Sequence, residues 1–185
     1  MSEAIVIGDF VDAADGPPAM TSVELKLRAL DLVAQWKRCG VAADSLAAYF
    51  AYDFEPDVRA AAVGVLSTAI NELLENAAKF CADKRGSLEV SVRHHGELVR
   101  IETRHTAAAG RVLAFQGVLA ELGRASLPEL FAERIEHQKE PGASGIGLII
   151  LKKDYGARIG ARLQPRADGQ WDVQVQVSLD VEEVR

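Results

Sequence analysis

The chain has 185 residues, 26% of them charged and 49% apolar, a length and composition that describe one globular domain and exclude disordered, collagen-like and membrane-embedded chains. A formal net charge of -6 and a sequence pI near 5.3 provide no positive field for a polyanion, so no nucleic-acid partner is expected. The longest apolar runs, such as Ile146 to Leu151, fall far short of the roughly 20 residues that span a bilayer.

Met1 to Phe10 carries Glu3 and Asp9 and lacks the basic start and long apolar core of a signal peptide, so a soluble cytoplasmic protein with no membrane partner is expected. Ala4 to Phe10 reads as a short strand, and Gly16, Pro17 and Pro18 mark a loop over Asp12 to Met20. Thr21 and Glu24 have capping-box spacing, Val23, Leu27 and Leu30 recur at helical intervals, and Gly40 supplies a stop. A helix is therefore expected over Thr21 to Arg38, with a shorter one over Asp44 to Phe54. Pro56 suits the first position of a longer helix that runs to about Cys81, because its missing N–H has no intrahelical partner there. Cys39 and Cys81 are the only cysteines, and they read as buried free thiols with no zinc site.

Beyond Cys81 the period changes from helical to alternating. Leu88, Val90 and Val92, then Val99, Ile101 and Thr103, alternate with polar residues around His95-Gly96 and predict a hairpin. A second pair, Ala157 to Leu163 and Trp171 to Val181, flanks Asp168-Gly169. Between them lie helical patterns over Val112 to Leu122 and Leu127 to Ile135, a glycine cluster, and a third helix over Ile149 to Tyr155. Strands with one dry face need an opposing helical layer, which predicts a two-layer α/β sandwich.

On the helix that follows Pro56, Thr68, Glu72, Glu75, Asn76 and Lys79 fall in one sector of about 100 degrees. The adjoining sector, Ala62, Leu66, Ala69, Ile70, Leu73, Ala77 and Phe80, is expected to face the sheet. A solvated face with a Glu75–Lys79 pair accounts for such a stripe. An Asn with a carboxylate one turn before it and a Lys one turn after it also suits a hydrated divalent cation and a nucleotide phosphate.

The run Asn71-Glu72-Leu73-Leu74-Glu75-Asn76-Ala77-Ala78-Lys79-Phe80 resembles the N box of the GHKL, or Bergerat-fold, superfamily of gyrase-like ATPases, histidine kinases and anti-sigma-factor serine kinases. The resemblance implies ATP and Mg²⁺ as cofactors, with Asn76 on the metal, Glu72 orienting or deprotonating the attacking water or hydroxyl, and Lys79 near phosphate. It also implies a mixed sheet and a helical lid insert, here over residues 106–141.

Gly142-Ala143-Ser144-Gly145-Ile146-Gly147-Leu148 runs into a helix N-terminus, where free N–H groups and the helix dipole attract an anion. It resembles the superfamily's G2 box, and the likeness extends over Asp57 to Val181. The first 55 residues form a divergent N-terminal part of the same single domain.

One element departs from the family. Where an Asp-x-Gly-x-Gly box would read adenine, the chain has Ile101-Glu102-Thr103-Arg104-His105-Thr106-Ala107-Ala108-Ala109-Gly110. Glu102 is expected to point away from Thr103, which leaves Thr103 or His105 as a neutral acceptor. Loss of a charge-assisted bond costs about 1 to 3 kcal/mol.

The short chain resembles stand-alone anti-sigma-type kinases and SiaB-like partner-switching regulators. The implied function is a bacterial signalling regulator that binds Mg-ATP and phosphorylates a small protein partner on Ser or Thr, or sequesters it; a homodimer is a further expectation from the family. The alternative is a degenerate domain that binds a protein without nucleotide turnover. A histidine kinase is disfavoured, since His94, His95, His105 and His137 lie outside the expected N-terminal helices.

Overall fold

Alternation of apolar and polar residues gives the sheet one dry and one polar face. The computed structural model describes residues 3–12, 16–124, 126–136 and 145–180. Its strands are β1 (Ile5–Gly8), β2 (Thr21–Arg28), β3 (Ser87–His94), β4 (Leu98–Ala108), β5 (Arg158–Pro165) and β6 (Gln170–Asp180), in the order β1-β5-β6-β4-β3-β2. On β6, Val173, Val175, Val177 and Leu179 are buried opposite His105, Thr103, Ile101 and Val99 of β4.

Every strand pairing among the described residues is antiparallel, which corrects the expected mixed sheet. Two tight hairpins impose this sense: Gly96 and Gly169 adopt φ of +87 and +80 at the β3–β4 and β5–β6 turns, a conformation that glycine enters without steric cost.

The expectation over Thr21 to Arg38 is also corrected. Thr21–Arg28 is a strand, because Val23, Leu25 and Leu27 alternate with Ser22, Glu24 and Lys26 and lie opposite Val92, Val90 and Leu88 of β3. The same residues satisfy a helical spacing only at Val23, Leu27 and Leu30; burial against β3's apolar face selects the strand. Two helices follow, α1 (Ala29–Ala34) and α2 (Lys37–Phe50). Gly40 lies inside α2 with open space around it, so it does not end the helix, and Asp44 sits in mid-helix, where it accepts a 2.5 Å bond from Ser67 Oγ.

The long helix α3 (Arg59–Phe80) begins three residues after Pro56, because Pro56 and Asp57 lie in a turn. Alanine and leucine are its commonest residues and favour the helix. It packs between α1 and α2 on one side and β4 on the other, burying Leu66, Ile70, Leu73, Leu74, Ala77 and Ala78. Lys84 closes its C-terminus by donating to Ala78 O at 2.7 Å and Lys79 O at 2.8 Å, a cation at the negative end of the dipole.

The segment after β4 carries α4 (Ala109–Arg124), α5 (Leu127–Glu136) and α6 (Ile146–Tyr155). β4 extends through Ala108, which pairs with Gln170, so residues 106–108 of the expected insert belong to the sheet. The described part of the insert is packed: Val112, Leu119, Leu122 and Leu130 are buried in the core. Among the described residues no helix is long and apolar enough to cross a membrane. Cys39 and Cys81 are buried free thiols, and burial and Glu75 push the Cys39 thiol up to about 11.

Candidate functional site

The polar stripe on α3 divides by neighbour. Glu75 Oε1 accepts a 3.0 Å bond from Asn71 Nδ2, and no Glu75–Lys79 ion pair forms among the described residues. Lys79 is exposed, with Nζ 5.2 Å from the centre of the Phe80 ring. Asn76 instead sits at the wall of a cavity.

That cavity, of about 130 Å³, is enclosed by five elements. Leu73, Asn76, Ala77 and Phe80 come from α3; Thr103, His105 and Ala107 from β4, with Val173 and Val175 from β6. Arg111, Val112, Ala114 and Phe115 of α4 roof it, and Leu148 of α6 closes one end. Apolar walls with a few convergent polar groups are the usual form of a small-molecule site. Here the polar groups are Asn76, Thr103, His105 and Arg111.

β4's alternation decides which residues reach the cavity. Thr103 and His105 face the helices, whereas Glu102 lies on the opposite side, where its two oxygens accept from Arg104 Nε at 2.7 Å and Gln176 Nε2 at 3.2 Å. Glu102 therefore does not replace the absent Asp, as the strand parity predicts.

His105 is 9% exposed, and its Nδ1 is buried with no hydrogen-bond partner among the described residues. Burial first, then the nearby Lys84 cation, push its pKa down from 6.5 to about 4, so the ring is neutral near pH 7 and offers one acceptor and one donor nitrogen. An orphaned nitrogen at the cavity wall fits a hydrogen-bonding heterocycle.

Glu72 is half-buried, and burial followed by repulsion from Glu75 raises its pKa. Its carboxylate lies against the first turn of α6: a Cβ on Gly147 would come within 1.7 Å of Glu72 Oε2. A Cβ there would displace the Glu72 carboxylate, so the N-box-like and glycine-rich segments meet here.

Gly145 caps α6 in the left-handed conformation, with φ +93, and its carbonyl accepts from Ile149 N–H at 3.0 Å. A Cβ on Gly145 would meet Val118 of α4 at 2.7 Å, so α4 packs directly on this turn. Ile146 opens α6, while Gly142, Ser144 and His137 lie outside the described residues.

The structure thus brings Asn76, Thr103, His105 and Leu148 to one cavity, sets Glu72 and Gly147 in contact, and leaves Lys79 on the surface. Sequence reasoning missed Arg111, Phe115, Val173 and Val175. Arg111 is the one charged residue in the apolar run Ala107 to Phe115, a signal that was present; its guanidinium lies 5.7 Å from the Phe80 ring centre. Phe80 was expected to pack on the sheet and lines the cavity instead.

No family model matches the chain, and no curated protein matches it in sequence. Among solved structures it is similar to a chain of the SiaB-SiaC complex from Pseudomonas aeruginosa, with a TM-score of 0.61 and 10% identity. The likeness is one of fold. It covers 87% of this chain and 91% of that chain, and so takes in far more than the α3 stripe and the glycine turn.

Proposed function

We propose that this chain is a signalling regulator of the GHKL type that binds Mg-ATP and phosphorylates a small protein partner on Ser or Thr, or sequesters it. One observation carries the reading: the cavity gathers Asn76 from the N-box-like helix, Thr103 and His105 from the strand where the family reads adenine, and Leu148 from the glycine-rich helix start. In this reading the base enters the apolar cavity and meets neutral His105 or Thr103, and Arg111 and Phe80 flank it. The phosphates lie toward Gly145 and Gly147, with Mg²⁺ on Asn76.

Glu72 is the proton acceptor in this scheme. A carboxylate whose pKa is raised toward the working pH is a stronger base than an exposed one, and the direction of its shift supports that role. The fold likeness to a chain of the SiaB-SiaC complex supports a small protein partner, and a homodimer belongs to the same proposal, checked by light scattering.

The test is heat release or a melting shift with ATP and ADP, each with Mg²⁺, in the wild type and in Asn76→Ala. Stabilisation by nucleotide that is lost in the variant is expected; no response at millimolar nucleotide refutes the reading.

Nucleotide-independent partner binding is the second reading, and one feature favours it. Val23 and Leu25 of β2, an edge strand, and Val41, Leu46 and Tyr49 of α2 line an apolar groove in which Val41 and Tyr49 are exposed. Contiguous exposed apolar surface of this kind is typical of protein contacts. Partner capture unchanged by nucleotide and by Asn76→Ala supports this second reading.

A further inference from the structure

The sheet face turned away from the helices is polar, and Val11, Asp12 and Pro17 of the N-terminal part are fastened to it. Val11 N–H donates to Gln176 Oε1 at 3.0 Å, and Gln176 Nε2 donates back to Val11 O at 3.1 Å. Arg162 Nη2 donates to Asp12 at 2.7 Å, and His95 Nδ1–H donates to Pro17 O at 2.9 Å. Beside Pro17 and Pro18 lies a cavity of about 180 Å³, lined also by Arg93, His95, Arg100 and Glu102, among others.

Two side chains in this cavity are incomplete. Arg100 is 6% exposed, and its Nε is buried with no partner among the described residues. His95 Nε2 is in the same condition. The neighbouring carboxylate does not serve them, since Glu102 has one oxygen on Arg104 and the other on Gln176. Burial, with Arg93 and Arg158 acting against the single opposing charge of Glu102, lowers the Arg100 pKa. An unsatisfied buried N–H keeps its full desolvation penalty, and in native structures such a group has a reason, a bound ion among them.

We propose that this cavity is a binding site for a phosphate-type anion, either free phosphate or the phosphate group of a small metabolite. The chemistry of the two open atoms selects the ligand. Arg100 Nε–H donates to a charged oxygen. With Nδ1–H committed to Pro17 O, the lone pair of a singly protonated His95 ring sits on Nε2, which accepts from a hydroxyl. A monoprotonated phosphate carries both a charged oxygen and a hydroxyl, whereas acetate and sulfate at neutral pH carry acceptors alone. A polyatomic anion fits, because a single water needs only about 10–15 Å³ of such space. The cavity lies across the sheet from the one proposed for nucleotide and is independent of that reading.

The test is calorimetry and melting of the full chain without nucleotide or Mg²⁺. Inorganic phosphate is titrated at constant ionic strength and about pH 6, where free phosphate and a phosphate monoester both retain a hydroxyl, with sulfate, acetate and methyl phosphate as comparators. Saturable binding of phosphate is expected, stronger than that of sulfate or acetate. Methyl phosphate binding equally well identifies a metabolite's phosphate as the ligand class, and its rejection identifies the free ion.

Arg100→Gln is expected to weaken phosphate at least tenfold, while Asn76→Ala, on the other cavity, leaves it unchanged. Should Arg100→Gln fail to fold, Arg93→Gln, whose side chain is 23% exposed, serves for the same comparison. Equal responses to phosphate, sulfate and acetate overturn the proposal. So does phosphate binding that survives the arginine substitution or disappears in Asn76→Ala.

Discussion

Acidification should weaken this fold through one side chain. The unfolded chain takes up a proton on His105 near pH 6.5, whereas the folded chain resists it until about pH 4, because the ring is buried and Lys84 lies nearby. Between those values the unfolded state holds more protons, so stability is fully present above about pH 6.5 and is lost as pH falls toward 4. The gap is worth about 3 kcal/mol when fully traversed and about 2 kcal/mol by pH 5. Urea unfolding at pH 8 and pH 5 measures it, in the wild type and in His105→Phe, which keeps a planar ring and removes the titration. The wild type should lose about 2 kcal/mol more than the variant, or roughly 4–8 °C in Tm for a chain of this size. Taking the difference cancels the other titrating groups, including Glu72, whose raised pKa acts with the opposite sign. Equal pH dependence in the two proteins would refute the argument and with it the neutral-imidazole description of the cavity.

Three further outcomes follow from the same geometry. Glu72→Gln should raise Tm at pH 8, where the folded state carries a disfavoured buried charge, and the gain should shrink toward pH 4 as the wild-type carboxyl protonates; thermal melts at the two pH values check this. Gly147→Ala places a methyl 1.7 Å from Glu72 Oε2 and 2.2 Å from its Cδ, so the carboxylate must swing away. Because the displaced atoms are the end of a flexible side chain, the change in stability by urea unfolding is expected to stay under about 1 kcal/mol, together with loss of any nucleotide-induced melting shift. Lys84→Met removes both bonds to the last carbonyls of α3 and should cost about 1–2 kcal/mol, fraying the end that holds Phe80, as amide exchange at Ala78 to Cys81 would report.

The sheet's strands were legible wherever one period dominated. Val173 to Leu179 can face a core in only one way, and the hairpin glycines announce their turns. Thr21 to Arg28 satisfied two periods at once, and the choice rested on pairing with β3, a contact some 65 positions away along the chain that local spacing does not encode. Gly40 misled for a related reason: a glycine inside a helix costs only about 1 kcal/mol against alanine, less than the packing of Cys39, Ala43, Leu46 and Ala47 around it. At the site, the α3 stripe showed which residues share a face. It did not show that Arg111, on a helix after β4, would roof the same cavity, since that depends on how α4 docks against Gly145.

The register of β4 also changes what the missing carboxylate means. In the strand, parity sends Glu102 to the far face, where Arg104 and Gln176 occupy both of its oxygens, and sends Thr103 and His105 to the cavity. Under the proposed nucleotide reading, the polar function on the floor is replaced in kind: a charged acceptor gives way to a neutral ring with one lone pair and one N–H. A neutral bond is roughly half as strong as a charge-assisted one, so any base held here owes less of its affinity to that contact and more to the apolar walls and the Phe80–Arg111 pair. Because an imidazole can donate as well as accept, the floor by itself does not demand an exocyclic amine. If the proposed nucleotide reading holds, selectivity among bases arises from the shape set by Leu73, Phe115, Val173 and Val175.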